Sequence, residues 1–147
     1  LLLDMDDFKQ INDTRGHDAG DQVLRIIGRR LKAALRKSDL IARYGGDEFA
    51  VLLHGATRES TRESTRQVME ALIQALQKPM QVDGREFPVH FSIGAALAPQ
   101  DGTEAAVLLK NADQAMYAAK KSPHAFVFFD EIGEPEKITG RLTTRSA

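Results

Sequence analysis

The chain has 147 residues and a mass of 16.2 kDa, the size of one ordinary domain, which buries about two-thirds of its unfolded surface. Its 20 Lys and Arg and 21 Asp and Glu leave a net charge of −1, with 42% hydrophobic and 28% charged residues. That profile excludes a disordered chain, and it lacks the basic excess with which nucleic-acid and anionic-membrane binders grip their targets. With no cysteine, disulfides, thiolate nucleophiles and Cys-zinc sites are excluded too. No apolar run approaches the roughly 20 residues of a membrane helix, and no signal peptide is visible. The chain opens on Leu1-Leu2-Leu3-Asp4, which reads as a strand already under way and so as a fragment of a longer protein.

Leu1–Met5 is expected to be a buried strand presenting Asp4 and Asp6 at its carboxyl end. Phe8–Arg15 reads as a short helix stopped near Gly16. Asp18–Lys37 is the clearest helix, with Val23, Leu24, Ile27, Leu31 and Leu35 on one face and Arg25, Arg29, Lys32 and Arg36 on the other. Leu40–Tyr44 and Glu48–His54 flank Gly45-Gly46-Asp47 as a hairpin. Thr57–Gln67 repeats Thr-Arg-Glu-Ser, a solvated helix start with Arg–Glu pairs along it; Val68, Met69, Leu72, Ile73 and Leu76 continue it as a buried stripe. Pro79–Val82 and Arg85–Leu97, around Asp83-Gly84, read as a second hairpin. Thr103–Lys121 is a helix and Ala125–Phe129 a final strand. Residues 131–147 are rich in Gly, Pro, Thr and charge and read as tail or linker. Hairpins force antiparallel neighbours, so the class is α/β (α+β), with a mostly antiparallel central sheet flanked by helices.

If the first strand and the first hairpin share a sheet, Asp4 and Asp47 converge. Two carboxylates about 4 Å apart repel by roughly 4 kcal/mol at an effective dielectric near 20, and a divalent cation reverses the sign. Oxygen ligands without Cys or clustered His point to Mg²⁺ or Mn²⁺. A pair of such ions activates an attacking oxygen and stabilises a leaving pyrophosphate. Asn12 and Asp21 have the donors and acceptors to read a guanine edge; at this spacing they would equally serve as helix caps. Lys120-Lys121 fits a helix C-terminus on the macrodipole alone. No Walker-type phosphate loop is present.

The ordered set Asp4-Met5-Asp6-x-Phe8-Lys9-x-x-Asn12-Asp13, Gly16-His17-x-x-Gly20-Asp21, Arg43-Tyr44-Gly45-Gly46-Asp47-Glu48-Phe49 and Ala112-Asp113-x-Ala115-Met116-Tyr117-x-Ala119-Lys120 resembles the GGDEF-domain diguanylate cyclases, from Leu1 to about Phe129. The resemblance implies a nucleotidyl cyclase/polymerase-palm-like fold over residues 1–130. It implies condensation of two GTP into cyclic di-GMP and two pyrophosphates by a homodimer whose two active sites face each other. By position, Asp4, Asp47 and the Met5 carbonyl would hold two Mg²⁺ or Mn²⁺ per site. Asp47 would be the general base, with Glu48 as metal ligand or accessory and Lys9 steadying phosphate charge. Phe8, Asn12, His17 and Asp21 would bind the nucleoside, Lys120 would meet the phosphates, and Gly46 would let phosphate approach the backbone. Arg36-Lys37-Ser38-Asp39 resembles the family's inhibitory RxxD site for cyclic di-GMP; Arg66 as a further arm depends on helix register. The implied location is the bacterial cytoplasm, with a parent that is free to be membrane-anchored, no nucleic acid partner and no membrane contact from the domain itself.

Two departures modify the expectation. Ser122-Pro123-His124-Ala125 replaces the family's Gly-Arg-Asn after the helix lysine, and a His in place of Arg implies weaker, somewhat pH-dependent GTP binding. The helix with an Asp-x-Leu-Thr-x-Leu-x-Asn-Arg signature that usually precedes the first strand is absent. These features favour the alternative, a catalytically silent GTP- or cyclic di-GMP-binding regulatory module. A polymerase-like nucleotidyl transferase shares the metal chemistry but lacks a basic template groove.

Overall fold

The structure is a computed structural model that describes residues 1–55 and 61–133. Its elements are β1 (Leu2–Met5), α1 (Phe8–Arg15), α2 (His17–Ala34), β2 (Leu40–Arg43), β3 (Glu48–Leu52), α3 (Thr61–Leu76), β4 (Met80–Val82), β5 (Arg85–Phe87), β6 (Phe91–Ala95), α4 (Ala105–Lys121) and β7 (Phe126–Phe128), closed by a 3₁₀ turn at Phe129–Glu131. The central sheet has the order β2-β3-β1-β6-β7. All its pairings are antiparallel except β6 with β7, so the expected α+β architecture holds, as a mixed sheet.

Alternation along β1 separates two cores. Leu3 and Met5 join Val23, Ile27 and Leu31 of α2 and Met69, Leu72 and Ile73 of α3 in the larger one. Leu2 faces the other way, onto Ala112 and Met116 of α4, and Asp4 lies on that same face. Val23, Ile27 and Leu31 are wholly inaccessible, each worth about 1.5–3 kcal/mol of apolar burial. They hold α2 against the sheet despite Gly28.

Three features differ from the sequence reading. α2 ends at Ala34 rather than Lys37, because Leu35 is extended (φ −104, ψ 159) and the Asp39 carboxylate takes the Arg36 N–H at 3.0 Å. Arg36 therefore stands in a turn and not in the helix. The run Arg85–Leu97 is two strands: Pro88, with no N–H to give a ladder, falls in the gap between β5 and β6. β4–β5 is thus a sheet of its own. Third, the arginines of the Thr-Arg-Glu-Ser repeat reach beyond their helix. Arg62 bonds Asp130 at 2.7 and 2.5 Å and Glu131 at 2.6 Å, with its guanidinium 4.2 Å from the Phe128 ring centroid. Arg66 lies over Phe128 and 3.5 Å from Glu131. Glu131 also accepts the Phe128 N–H at 3.2 Å. The start of the repeat, residues 57–60, lies outside the described residues, as does the expected tail from residue 134 on. No described helix is long and apolar enough to cross a membrane.

Candidate active site

The Gly-Gly-Asp-Glu segment forms the tip of the β2–β3 hairpin. Its turn is closed by Tyr44 and Gly45 N–H bonds to the Glu48 carbonyl and by Arg43, whose guanidinium donates to the Gly45 and Gly46 carbonyls at 2.8–3.2 Å. β1 pairs with β3 in a register that sets Asp4 opposite Glu48, so the hairpin tip and the end of β1 meet as expected. Asp47 is close enough to act electrostatically on Asp4. From α4, which packs on that face of the sheet, Lys120 in the last turn pairs with Asp4 Oδ2.

Asp4 is 4% exposed. Burial, above all, pushes its carboxyl up to about 6; the Lys120 ammonium pulls it back and the neighbouring Asp47 adds to the rise. Burial works against the Lys120 charge, but Asp4, Asp6 and Asp47 hold that ammonium above the ordinary lysine range. Asp4 Oδ1 is buried with no hydrogen-bond partner among the described residues. Asp6 instead accepts from Ser92 Oγ at 3.0 Å. An open cleft of about 590 Å³ leads away from Glu48 and Lys120, past Tyr117 and Lys121 to Ile132.

The expected nucleoside residues gather at the α1–α2 turn. Gly16, at φ +87, reverses the chain between the two helices, a backbone state that glycine adopts at no steric cost. Asn12 lies inside α1, and Asp21 a turn into α2; neither caps a helix, for the N-caps are Asp7 and Gly16. His17 and Asp21 are exposed, as is Lys9 on α1. Phe8 is 9% exposed and belongs to the larger core, so it supports this turn from beneath rather than facing solvent. Gly46 has nothing within 4 Å of where a Cβ would stand. The RxxD pair lies elsewhere, after α2. Both Asp39 carboxylate oxygens are engaged there, by the Arg36 and His54 N–H groups. Arg66 is committed to Glu131 and the β7 aromatics.

A family profile described as "Diguanylate cyclase, GGDEF domain" matches residues 1–125. The chain belongs to the GGDEF diguanylate cyclase family. The GGDEF domain is 43% identical over 136 residues to the diguanylate cyclase TpbB of Pseudomonas aeruginosa, covering 92% of this chain and 31% of that protein. It is 40% identical over 120 residues to the cyclic di-GMP phosphodiesterase NbdA of the same organism, covering 82% of this chain and 15% of that one. The chain thus spans less than a third of these curated relatives. Among solved structures, it superposes on the isolated GGDEF domain of P. aeruginosa TpbB with a TM-score of 0.78 at 41% identity, covering 86% of this chain and 72% of that one.

Two contributors to this GGDEF site carry no obvious chemistry in the sequence. Arg43 holds the Gly-Gly turn by its carbonyls; it stands in the motif that carries the resemblance, but no role for it is legible there. Gly20 is the other. A Cβ there would overlap Asn12 Oδ1 and stand 3.0 Å from Asn12 Cγ and 3.3 Å from Phe8 Cζ. The Asn12 amide therefore rests on bare α2 backbone. Since the obstructed atoms end a short polar side chain, Gly20→Ala is expected to move Asn12 rather than unfold the domain. With Asn12 in the nucleoside-binding role that the resemblance implies, GTP binding should weaken about tenfold, the scale of one lost polar contact, while the urea midpoint holds or rises. Calorimetric titration and urea unfolding on the same variant check it; unchanged GTP affinity refutes it.

The Asp4 shift gives a second expectation for the GGDEF domain. A carboxyl near 6 when folded and 3.8 when unfolded binds more protons in the native state between those values. Stability therefore falls as pH rises through that window, and the cost is fully present at pH 7. Unliganded Asp4→Asn is expected to exceed the parent by about 1–3 kcal/mol at pH 7, with the gap closing toward pH 4. Urea unfolding at both pH values measures it; a gap that is the same at both would contradict the burial argument.

Proposed function

We propose that this domain is a diguanylate cyclase, joining two GTP into cyclic di-GMP with release of two pyrophosphates. The observation that carries this is the buried Asp4 carboxylate beside Asp47 and Lys120, at the tip of the Gly-Gly-Asp-Glu hairpin. The donor set fits a hard divalent cation: Asp4 keeps one buried oxygen without a partner and draws the nearest ammonium to the other. Among the described residues no three His, Asp or Glu side chains form a finished cage; Mg²⁺ in nucleotide sites takes one or two carboxylates and completes its shell with phosphate and water oxygens. Asp4, Asp47 and the Met5 carbonyl would hold two Mg²⁺ or Mn²⁺, with Glu48 beside them. Such ions supply Lewis acidity at the α-phosphate and neutralise the departing pyrophosphate.

The chain's own groups do the rest. Asp47 takes the proton of a 3′-hydroxyl; that oxygen bonds to the α-phosphorus of the other GTP, and the bond from that phosphorus to pyrophosphate breaks. Lys9 and Lys120 meet phosphate charge, and Gly46 leaves room for phosphate beside the backbone. Asn12, His17 and Asp21 hold the nucleoside above Phe8, with Asp21 selecting guanine. Each 3′-hydroxyl attacks a nucleotide held by a second copy, so dimer docking provides the effective concentration. The substrate places the domain in the cytoplasm.

Dimerised protein incubated with GTP and Mg²⁺ is expected to yield cyclic di-GMP by mass spectrometry. A second reading, a silent GTP- or cyclic di-GMP-sensing module, is favoured by His124 in place of the family arginine. Tight GTP binding without product would decide for it. Product inhibition is assigned to Arg36 and Asp39. Because Asp39 also closes the turn after α2, Arg36→Ala is the cleaner probe. It is expected to remove inhibition by added cyclic di-GMP while leaving the initial rate within about twofold, a surface change being worth at most about 0.5 kcal/mol. Progress curves with and without product measure it, and persistent inhibition would move the site elsewhere.

A further inference from the structure

The span 16–21, which carries His17 and Asp21, is gripped at both ends by an element outside the central sheet. At one end the Arg15 guanidinium lies 5.1 Å from the Phe87 ring centroid. At the other, Gln22 Nε2 donates to Asp83 Oδ1 at 3.4 Å. Both partners belong to the β4–β5 hairpin, Phe87 at the end of β5 and Asp83 at the turn. Isolated two-stranded hairpins are marginal in water, so this one takes its position from what it packs on. Met80 and Val82 are buried in the larger core with α2. Arg30 of α2 donates to the carbonyls of Leu76, Lys78 and Pro79 at the hairpin's entry. The turn itself is tight, with Asp83 at φ 52 and Gly84 at φ 73, the left-handed pair of a two-residue hairpin loop.

We propose that the β4–β5 hairpin braces the base-reading span, and that Phe87 and Asp83 are positioning residues for guanine selectivity. The proposal rests on the nucleotide reading above. A carboxylate that selects guanine must meet N1–H and the exocyclic amine together, and such a two-point contact tolerates little rotation. Asp21 is exposed, and the structure gives its side chain no hydrogen bond to another described residue, so its aim comes from the α2 backbone that carries it. That backbone runs between Arg15 and Gln22, the two residues that the hairpin holds.

The test compares GTP with ITP, which keeps N1–H and lacks the exocyclic amine. Affinities of the full chain for both nucleotides are measured in Mg²⁺ by displacement of a fluorescent GTP analogue. The parent is expected to prefer GTP. Phe87→Leu keeps an apolar side chain of similar reach without a ring face, and Asp83→Gly removes the acceptor at a φ that glycine favours. Each should lower the GTP:ITP ratio about two- to fivefold, the scale of one exposed cation–π contact, and Phe87→Tyr should restore it. A merely structural hairpin would weaken both nucleotides equally, so an unchanged ratio in Phe87→Leu and Asp83→Gly overturns the brace. If Phe87→Leu fails to fold, Arg15→Gln makes the same test from the other side. A parent that binds GTP and ITP alike overturns instead the guanine-reading role of Asp21, and the brace with it.

Discussion

Asp47→Ala is expected to abolish cyclic di-GMP formation in a protein that still folds. Losing a general base alone costs about 10²–10⁴-fold, and in the proposed mechanism Asp47, which acts electrostatically on Asp4, would also supply a carboxylate to the ion site, so the two losses would compound. Asp47→Asn separates them. It keeps the size and a neutral oxygen ligand but cannot accept the 3′-hydroxyl proton, so it should retain part of the metal affinity while turnover falls by at least the general-base factor. The domain should survive both changes, because Asp47 stands at a partly exposed hairpin tip whose turn is held by Arg43 and by backbone bonds. Turnover is read as cyclic di-GMP by mass spectrometry, folding by circular dichroism. Near-parental turnover in Asp47→Ala would refute the mechanism.

The largest effect on stability is expected at Gly94. This residue sits in β6 between Leu2 and Val127, directly beneath α4. A Cβ there would overlap the Ala112 carbonyl oxygen and the Met116 nitrogen and lie 2.8 Å from Met116 Cα. These are helix backbone atoms and cannot swing aside. The buried face of α4 is built for this approach from Ala112, Ala115, Met116 and Ala119. Gly94→Ala should cost about 2–3 kcal/mol, the upper range for overpacking, and Gly94→Val more than about 4 kcal/mol. Urea unfolding should show a lowered midpoint at constant slope. Since α4 carries Lys120, any folded Gly94→Ala protein should also bind GTP more weakly. A midpoint within experimental error of the parent would mean that the helix does not lie where the structure puts it.

Much of this was legible in the chain. β1, the first hairpin, α1 and α4 announce themselves through apolar periodicity and Gly punctuation, and the acidic motifs that the sequence expects to converge, Asp4 with Asp47, do lie together. What local pattern could not show are contacts made at long range. At helical spacing Arg62 looks like a partner for Glu59 and Arg66 for Glu63, but the acids they meet stand far along the chain, after β7. Gly94 is one small residue in an apolar run; only the helix above it explains the absence of a side chain. Phe87, Val89, Phe91 and Ile93 alternate well enough for one strand, yet Pro88 breaks the ladder and turns β4–β5 into a separate element against α2. Lys120 is expected at the phosphates from its motif; its pairing with Asp4, 116 residues away, is visible only in the fold.

The clasp around Glu131 bears on how the sheet ends. β7 is an edge strand, and edges invite strand addition from other chains. Here the Phe128 N–H is already taken by Glu131, whose carboxylate is in turn held by Arg62, while two guanidinium planes lie over the Phe128 ring. An incoming strand would have to displace a charged side chain from a donor it already satisfies. Strand addition at Phe128 is thereby discouraged by the mutual contacts of Arg62, Arg66, Phe128 and Glu131.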